Sequence, residues 1–211
     1  MGNADVGAGA FATAAIRDGD DPTAKIILSA AVQMIAARGY HGTSIRHIAT
    51  FAGISPGSIY NHFGSKHELL VTILVRGGSA LVEATERALL DAPAHPAARL
   101  DAIVRTHVGI HAQNPMESYI GNSELRSLDA VALERVIANR DAQQRIFDRV
   151  IDDGVRRGVF TTPNPVAASR FVVTACTAVA MWFRPDGPAS EADVIARYQA
   201  VARDAVGHRP L

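Results

Sequence analysis

Apolar residues recur three and four apart along most of this chain, so the pattern predicts helices and almost no strand. Proline and glycine clusters divide it into about nine segments. Asp21-Pro22-Thr23 opens the first helix, with Ile27, Ala30, Ala31, Met34 and Ile35 as its buried stripe. Gly39 stops it. Thr43 or Ser44 caps the second helix, whose inward residues are Ile45, Ile48 and Ala49, and Gly53 ends it. Ser55 caps a third with Pro56 at its first position; Ile59, Tyr60 and Phe63 face the core or the groove edge, and Gly64-Ser65-Lys66 closes it.

The later segments are longer. A fourth helix covers 67–90 and contains Gly77-Gly78, read as a kink or a place of close packing. The fifth runs to about Gln113, the sixth over roughly 117–127 and the seventh over about 130–157. On the seventh, Leu133, Ile137, Phe147 and Ile151 form the apolar stripe. Acid-before-base pairs Asp141–Arg145, Asp152–Arg156 and Asp153–Arg157 mark its wet side. The eighth, about 165–183, is almost uncharged, and the ninth covers about 190–206.

Composition adds bounds. The chain has 211 residues, 48% of them apolar, which is enough for a real core, and a formal net charge of zero. From Lys25 to His67 there are four Lys or Arg and no acid. The rest of the chain then holds 17 basic against 21 acidic residues. A locally positive segment on a neutral chain suits a polyanion-binding module joined to something else, although a chance solvated face gives the same asymmetry. The single cysteine, Cys176, excludes an intramolecular disulfide and a cysteine zinc cluster, and points to the cytosol. No apolar run approaches a membrane span, and the 165–183 helix is too short and too rich in Thr and Ala for one, so it reads as buried or as an interface. Residues 1–21 read as a flexible arm that either touches a minor groove or stays idle.

The stretch 43–67 carries the function class. Two short helices joined by a tight turn, the second without acids, suit insertion of a helix end into a DNA groove. Ser55-Pro56-Gly57-Ser58 offers small side chains and helix N–H groups for close approach. Tyr60, His62 and Lys66 supply donors along the exposed side, and Thr43 and Ser44 can hold a neighbouring phosphate. Asn61 suits adenine and Arg46 suits guanine, so few residues read bases directly. Singly, each has a plainer reading: Ser55 as a helix cap, Tyr60 as a core aromatic, His62 as a surface histidine. The ordered string is more specific than its members.

Residues 25–70 resemble the DNA-binding domain of the TetR family of bacterial repressors. The resemblance rests on Ala30-Ala31, Gly39-Tyr40, Thr43-Ser44-Ile45, Ile48-Ala49, Ala52-Gly53-Ile54-Ser55, Gly57-Ser58-Ile59-Tyr60, His62-Phe63, Ser65-Lys66 and Leu69-Leu70. It implies DNA contacts from Thr43, Ser44, Ser55, Pro56, Gly57, Tyr60, His62 and Lys66. One departure is His47, where the family often carries an acid that completes a capping box with Ser44. A protonated His47 cannot accept in that way, which predicts a less well capped second helix.

The expected architecture is therefore all-α. An arm (1–21) precedes a three-helix helix-turn-helix domain (22–67) and a helical ligand-binding and dimerisation domain (68–211). The family implies a homodimer through the last two helices, double-stranded operator DNA and a small-molecule effector as partners, no membrane and no cofactor. Met181 to Pro188, Asn139 to Arg145 and Gly154…Gly158-Val159-Phe160 resemble TetR-type repressors of steroid and fatty-acyl degradation in actinobacteria, which implies an acyl-coenzyme A effector.

Candidate ligand residues are His107, His111, Tyr119, Arg140, Gln144, Phe147, Thr177, Met181 and Trp182. Arg140 on the apolar stripe either pairs with Glu124 or meets a ligand anion. His107 and His111 have the spacing of paired metal ligands, but no HExxH frame or cysteine accompanies them, so core or pocket roles are favoured over metal. No catalytic constellation stands out. Two other readings remain: a small-molecule enzyme or carrier with a vestigial helix-turn-helix, and a constitutive DNA binder without inducer.

Overall fold

The computed structural model describes residues 13–208, and among them there are nine α-helices and no strand. They are α1 (Pro22–Gly42), α2 (Ile45–Ala52), α3 (Pro56–Tyr60), α4 (Lys66–Asp91), α5 (Pro96–Gln113), α6 (Pro115–Ser123), α7 (Ala130–Arg156), α8 (Pro165–Trp182) and α9 (Glu191–Ala205). A short 3-10 turn at Leu125–Ser127 follows α6. Helix starts follow local chemistry: Asp21, Ser44, Ser55, Ser65, Asp129, Asn164 and Ser190 each accept a backbone N–H of the first turn.

Two apolar cores divide the chain. The first joins α1–α3 and the front of α4 through Ile27, Leu28, Ile48, Ile59, Leu69 and Leu70, and reaches Ile120 of α6 and Val136 of α7. The second surrounds α5, whose Leu100, Ile103, Val104 and Val108 meet Phe147, Ile151, Val172, Val179 and Val194. Each fully buried Ile, Leu or Phe contributes roughly 1.5–3 kcal/mol by leaving water. The front of α4 supplies Leu69, Leu70, Ile73 and Leu74 to the first core, and its rear packs Val82 and Leu89 against the second. One continuous helix thus links the two halves mechanically.

Several expectations change. The Gly77-Gly78 pair does not break α4: it is a close approach, since a Cβ on Gly78 would lie 2.9 Å from Asn139 Nδ2 of α7. The third helix ends at Tyr60 rather than near Gly64. His62 N–H and Phe63 N–H both donate to the Ile59 carbonyl, closing a turn that tucks Phe63 inward. On α7 the buried stripe is Val136, Gln143, Ile146, Phe147 and Val150, while Ile137 is exposed. Only Asp153 of the three expected acids makes the predicted kind of pair, with Arg157 and also with Arg156. α8 does meet the bare length and composition of a membrane span (18 residues, mean hydropathy 1.3), with a third of it buried here. Its inward residues include Cys176, whose thiol burial pushes up to about 12, so it sits as an unreactive core residue.

The expected flexible arm lies outside the described residues for 1–12. Residues 13–21 are held. Thr13 Oγ1 donates to Glu117 Oε1 (2.7 Å), and the backbone N–H groups of Ala14 and Ala15 donate to the same carboxylate (2.7 and 3.0 Å). Asp20 meets Arg76 of α4 at 2.8 Å. Glu117 is nearly buried, and that burial raises its pKa despite the three donors. A raised carboxyl pKa contributes stability below the unfolded value that is lost as pH rises through the folded one. Replacing Glu117 by Ala is expected to cost about 2 kcal/mol, removing several charge-assisted bonds. It should also open the chain to trypsin at Arg17; an arm equally resistant in the variant would show that Glu117 does not hold it.

Candidate functional site

The helix pair is built around its turn. Gly53 adopts φ 69°, ψ 27°, a left-handed conformation, and its N–H closes α2 on the Ala49 and Thr50 carbonyls. Ile48 and Ile59 anchor α2 and α3 from beneath. Arg46, Ser55, Pro56, Gly57, Tyr60, Asn61 and His62 are left exposed, with Tyr60 at 56%. Ser55 and Ser58 hydroxyls lie 2.9 Å apart, and Ser55 Oγ accepts the Ser58 N–H. His62 Nε2 is 3.8 Å from Asp21, so this ring shares its place with a carboxylate that also caps α1.

Two residues expected at the phosphate backbone are engaged inside the protein. Thr43 is 2% exposed, and its hydroxyl is within bonding distance of the Met34 and Gly39 carbonyls (3.0 and 2.8 Å). Its side chain therefore pins the end of α1, and the cap of α2 falls to Ser44 alone. Lys66 Nζ donates to the Tyr40 and Thr43 carbonyls at 2.6 Å each and sits 4.0 Å over the Tyr40 ring. Burial lowers its pKa, partly offset by Glu124. Lys66→Ala is accordingly expected to cost about 1.5–3 kcal/mol of stability, because it removes hydrogen bonds to a charged group. Tyr60→Phe should leave the unfolding midpoint unchanged. Equal midpoints in the two variants would refute the Lys66 staple.

The capping box at His47 forms after all. Ser44 Oγ accepts the His47 N–H (3.1 Å) and His47 Nδ1 accepts the Ser44 N–H (3.3 Å), with a neutral imidazole nitrogen in place of the carboxylate.

A cavity of about 610 Å³ lies among α4, α5, α6, α7 and α8, with Ala14 of the arm in its wall. Of the nine expected ligand residues, His107, His111, Arg140, Gln144, Thr177 and Met181 line it. Phe147 is core, set edge-on to His107 with ring centroids 5.6 Å apart. Tyr119 is half exposed on α6, and Trp182 stacks on Tyr198 of α9 (6.2 Å) at the surface. Arg140 does not pair with Glu124: α6 stops at Ser123, so Glu124 turns to Ser127. Arg140 instead donates to Gly121 O (2.7 Å) and Asn122 Oδ1 (3.2 Å) at the exposed rim. Gln144 donates to Asp148 and Ser169, both at 2.8 Å, tying α7 to α8.

The cavity floor is a polar network. His107 is 1% exposed; its Nε2 lies 3.0 Å from Thr177 Oγ1 and its Nδ1 lies 3.0 Å from Gln143 Nε2. His111 stacks on it, centroids 4.5 Å apart, and its Nδ1 lies 2.9 Å from the His107 carbonyl. Burial, then the neighbouring His111, holds the His107 pKa well below the ordinary imidazole range, and burial lowers that of His111. Among the described residues no cluster of three or more His, Cys, Asp or Glu is placed to hold a metal ion. Sequence reasoning missed Gln143, Asn139 and Glu117. Gln143 lay in view, seven residues after Val136 and four before Phe147 on the true stripe.

A helix-turn-helix head on a helical domain with an internal cavity defines a DNA-binding, ligand-responsive regulator. The profile described as "Bacterial regulatory proteins, tetR family" matches residues 27–73, and "Tetracyclin repressor-like, C-terminal domain" matches 93–206. The chain belongs to the TetR family of bacterial transcriptional regulators. It is 31% identical over 177 residues to the HTH-type transcriptional repressor KstR2 of Mycobacterium tuberculosis, covering 83% of this chain and 88% of that one. A bacterial regulatory protein of the tetR family from Rhodococcus RHA1 superposes with a TM-score of 0.83 at 30% identity, covering 90% of this chain and 100% of the other. AibR in complex with isovaleryl coenzyme A and operator DNA shares the fold (TM-score 0.77, 21% identity, 89% and 100% covered).

Proposed function

We propose that this protein is a cytoplasmic, non-enzymatic repressor that leaves its operator when a coenzyme A thioester or similar apolar effector fills the cavity. The observation that carries the reading is the shared wall: α4 lines the cavity at Ile73 to Leu81 while its front holds the DNA-binding core. A ligand that spreads this wall shifts α4 and with it α2 and α3. It works only if it prefers the DNA-incompetent state. Arg140 and Arg170, exposed at the rim, suit the phosphates of a coenzyme A, with the acyl group inside. Arg46, Ser44, Ser55 to Ser58, Tyr60, Asn61 and His62 meet the DNA, with Lys66 and Thr43 positioning them rather than gripping phosphate by their side chains.

The second copy that a two-fold operator needs docks on α8 and α9. Val166, Phe171, Met181 and Trp182 of α8 and Val201 of α9 are large apolar side chains left exposed. KstR2 is a named repressor and AibR is seen with an acyl-coenzyme A, which supports repression and a thioester in this chain.

The test is release from an operator selected out of random duplexes by the protein itself. At least one of a series of acyl-coenzyme A thioesters should weaken binding tenfold or more, and Arg140→Ala should blunt that response. Complexes that survive every thioester at saturation would sink the thioester reading and leave the DNA-binding role standing.

A further inference from the structure

The floor of the cavity distributes its hydrogen-bonding capacity unevenly. Thr177 Oγ1 donates to the Val173 carbonyl (2.9 Å), so its remaining role toward His107 is to accept, which puts the His107 proton on Nε2. His107 Nδ1 must then accept, and the Gln143 amide supplies the donor. The second amide hydrogen of Gln143 goes to Thr85 Oγ1 (3.0 Å), which itself donates to the Leu81 carbonyl (2.8 Å). Every donor in this chain of groups is therefore committed.

Two acceptors are not. Gln143 is 3% exposed and its Oε1 has no partner. His111, more than nine-tenths buried, donates from Nδ1 to the His107 carbonyl, which leaves Nε2 as a lone-pair acceptor with no partner among the described residues, in a ring that lines the cavity. Burial favours the neutral form of both histidines, so Nε2 keeps its lone pair. Gln143 Oε1 is sealed from solvent, whereas His111 Nε2 opens on the cavity, so a ligand that fills the cavity must supply its donor or leave the lone pair unpaired.

We propose that the deep end of the cavity recognises a hydroxyl group on an otherwise apolar effector, the hydroxyl donating to His111 Nε2. The proposal rests on the cavity being the effector site. A carboxylate or phosphate would meet acceptors there and is excluded from the floor. An ammonium would be desolvated without a counter-ion, because the Glu117 carboxylate is already taken up by the arm and Asp141 sits at the exposed rim. Charged parts of the effector are confined to the rim, and the floor selects by a single neutral donor. Such selection is strong in a buried site, since an analogue lacking the donor leaves the acceptor unpaired.

The experiment uses 1-octanol and its methyl ether, which differ in the donor, with the full-length protein in calorimetry. Wild type should bind the alcohol at least tenfold more tightly than the ether, and His111→Phe, which keeps the stack on His107, should bind the two alike. Equal affinities in wild type, or no binding of either probe, overturn the proposal. A preference that persists in His111→Phe also overturns it. A measurement free of any variant is the histidine tautomer by nitrogen-15 NMR: His111 should carry its proton on Nδ1 and leave Nε2 bare, and a proton on Nε2 would make that atom a donor and overturn the proposal. The two readings fail separately. Equal binding of both probes with operator release removes the hydroxyl inference but keeps the effector site; preferential alcohol binding without any release does the opposite.

Discussion

Replacing Gly154 by alanine is expected to destabilise the protein by about 2–4 kcal/mol, more than most single methyl additions, which cost ~1–3 kcal/mol when they overfill a core. Gly154 lies on the buried side of α7, and a Cβ built there would overlap the Phe160 ring at Cδ2 and Cε2. The ring has nowhere to go. Phe160 is buried in the second core, its backbone N–H donates to the Gly154 carbonyl at 3.1 Å, and His208 stands edge-on 5.9 Å away. Alanine would gain ~1 kcal/mol of helix propensity over glycine, which offsets only part of the clash. Urea denaturation of the two proteins measures the difference. A variant as stable as wild type would mean that α7 can rotate away from Phe160, and the close approach would then be incidental.

A second variant should do the reverse, leaving the fold intact and removing the function. Gly57 is exposed at the second position of α3, and a Cβ there meets only Ser55 Oγ at 3.6 Å, ordinary contact. A glutamate in the first turn of a helix is electrostatically favourable by roughly 0.3–1 kcal/mol. Stability should therefore hold. On DNA the same side chain adds bulk where close approach is needed and a negative charge facing phosphate. Gly57→Glu is expected to lower affinity for the selected operator at least about 100-fold, or ~2.7 kcal/mol. Fluorescence anisotropy on labelled duplex reads this directly. Undiminished affinity in a folded variant would remove α3 from the DNA-contacting surface.

The helices and their order were legible in the sequence because caps and breakers are local: Asp21, Ser44, Ser55, Gly53 and the prolines at 96, 115 and 165 each act within a turn of themselves. What failed was rotation and reach. The apolar spacing places Ile137 and Arg140 on the inner face of α7, whereas the fold turns both outward and buries Gln143. Lys66 and Thr43 carry polar groups that suit DNA as well as a backbone carbonyl, and only the fold shows that Tyr40 and Met34 take them. Glu117 meets partners more than a hundred positions away, which no spacing rule reaches. Five of the six cavity residues among the nine expected are polar side chains within apolar helical stretches, which need a destination; Met181 is the exception.

The short segment before α1 has a practical consequence for making hybrid regulators. Residues 13–20 precede the helix-turn-helix in the chain, yet they are bonded to Glu117 and Arg76, and Ala14 walls the cavity. Exchanging heads between relatives at the junction before α4 would therefore bring a foreign segment into the wall of the cavity proposed to take the effector. A hybrid that keeps its inducer response should take this segment from the same parent as α4 to α9 and receive only the residues from α1 to α3 from the other.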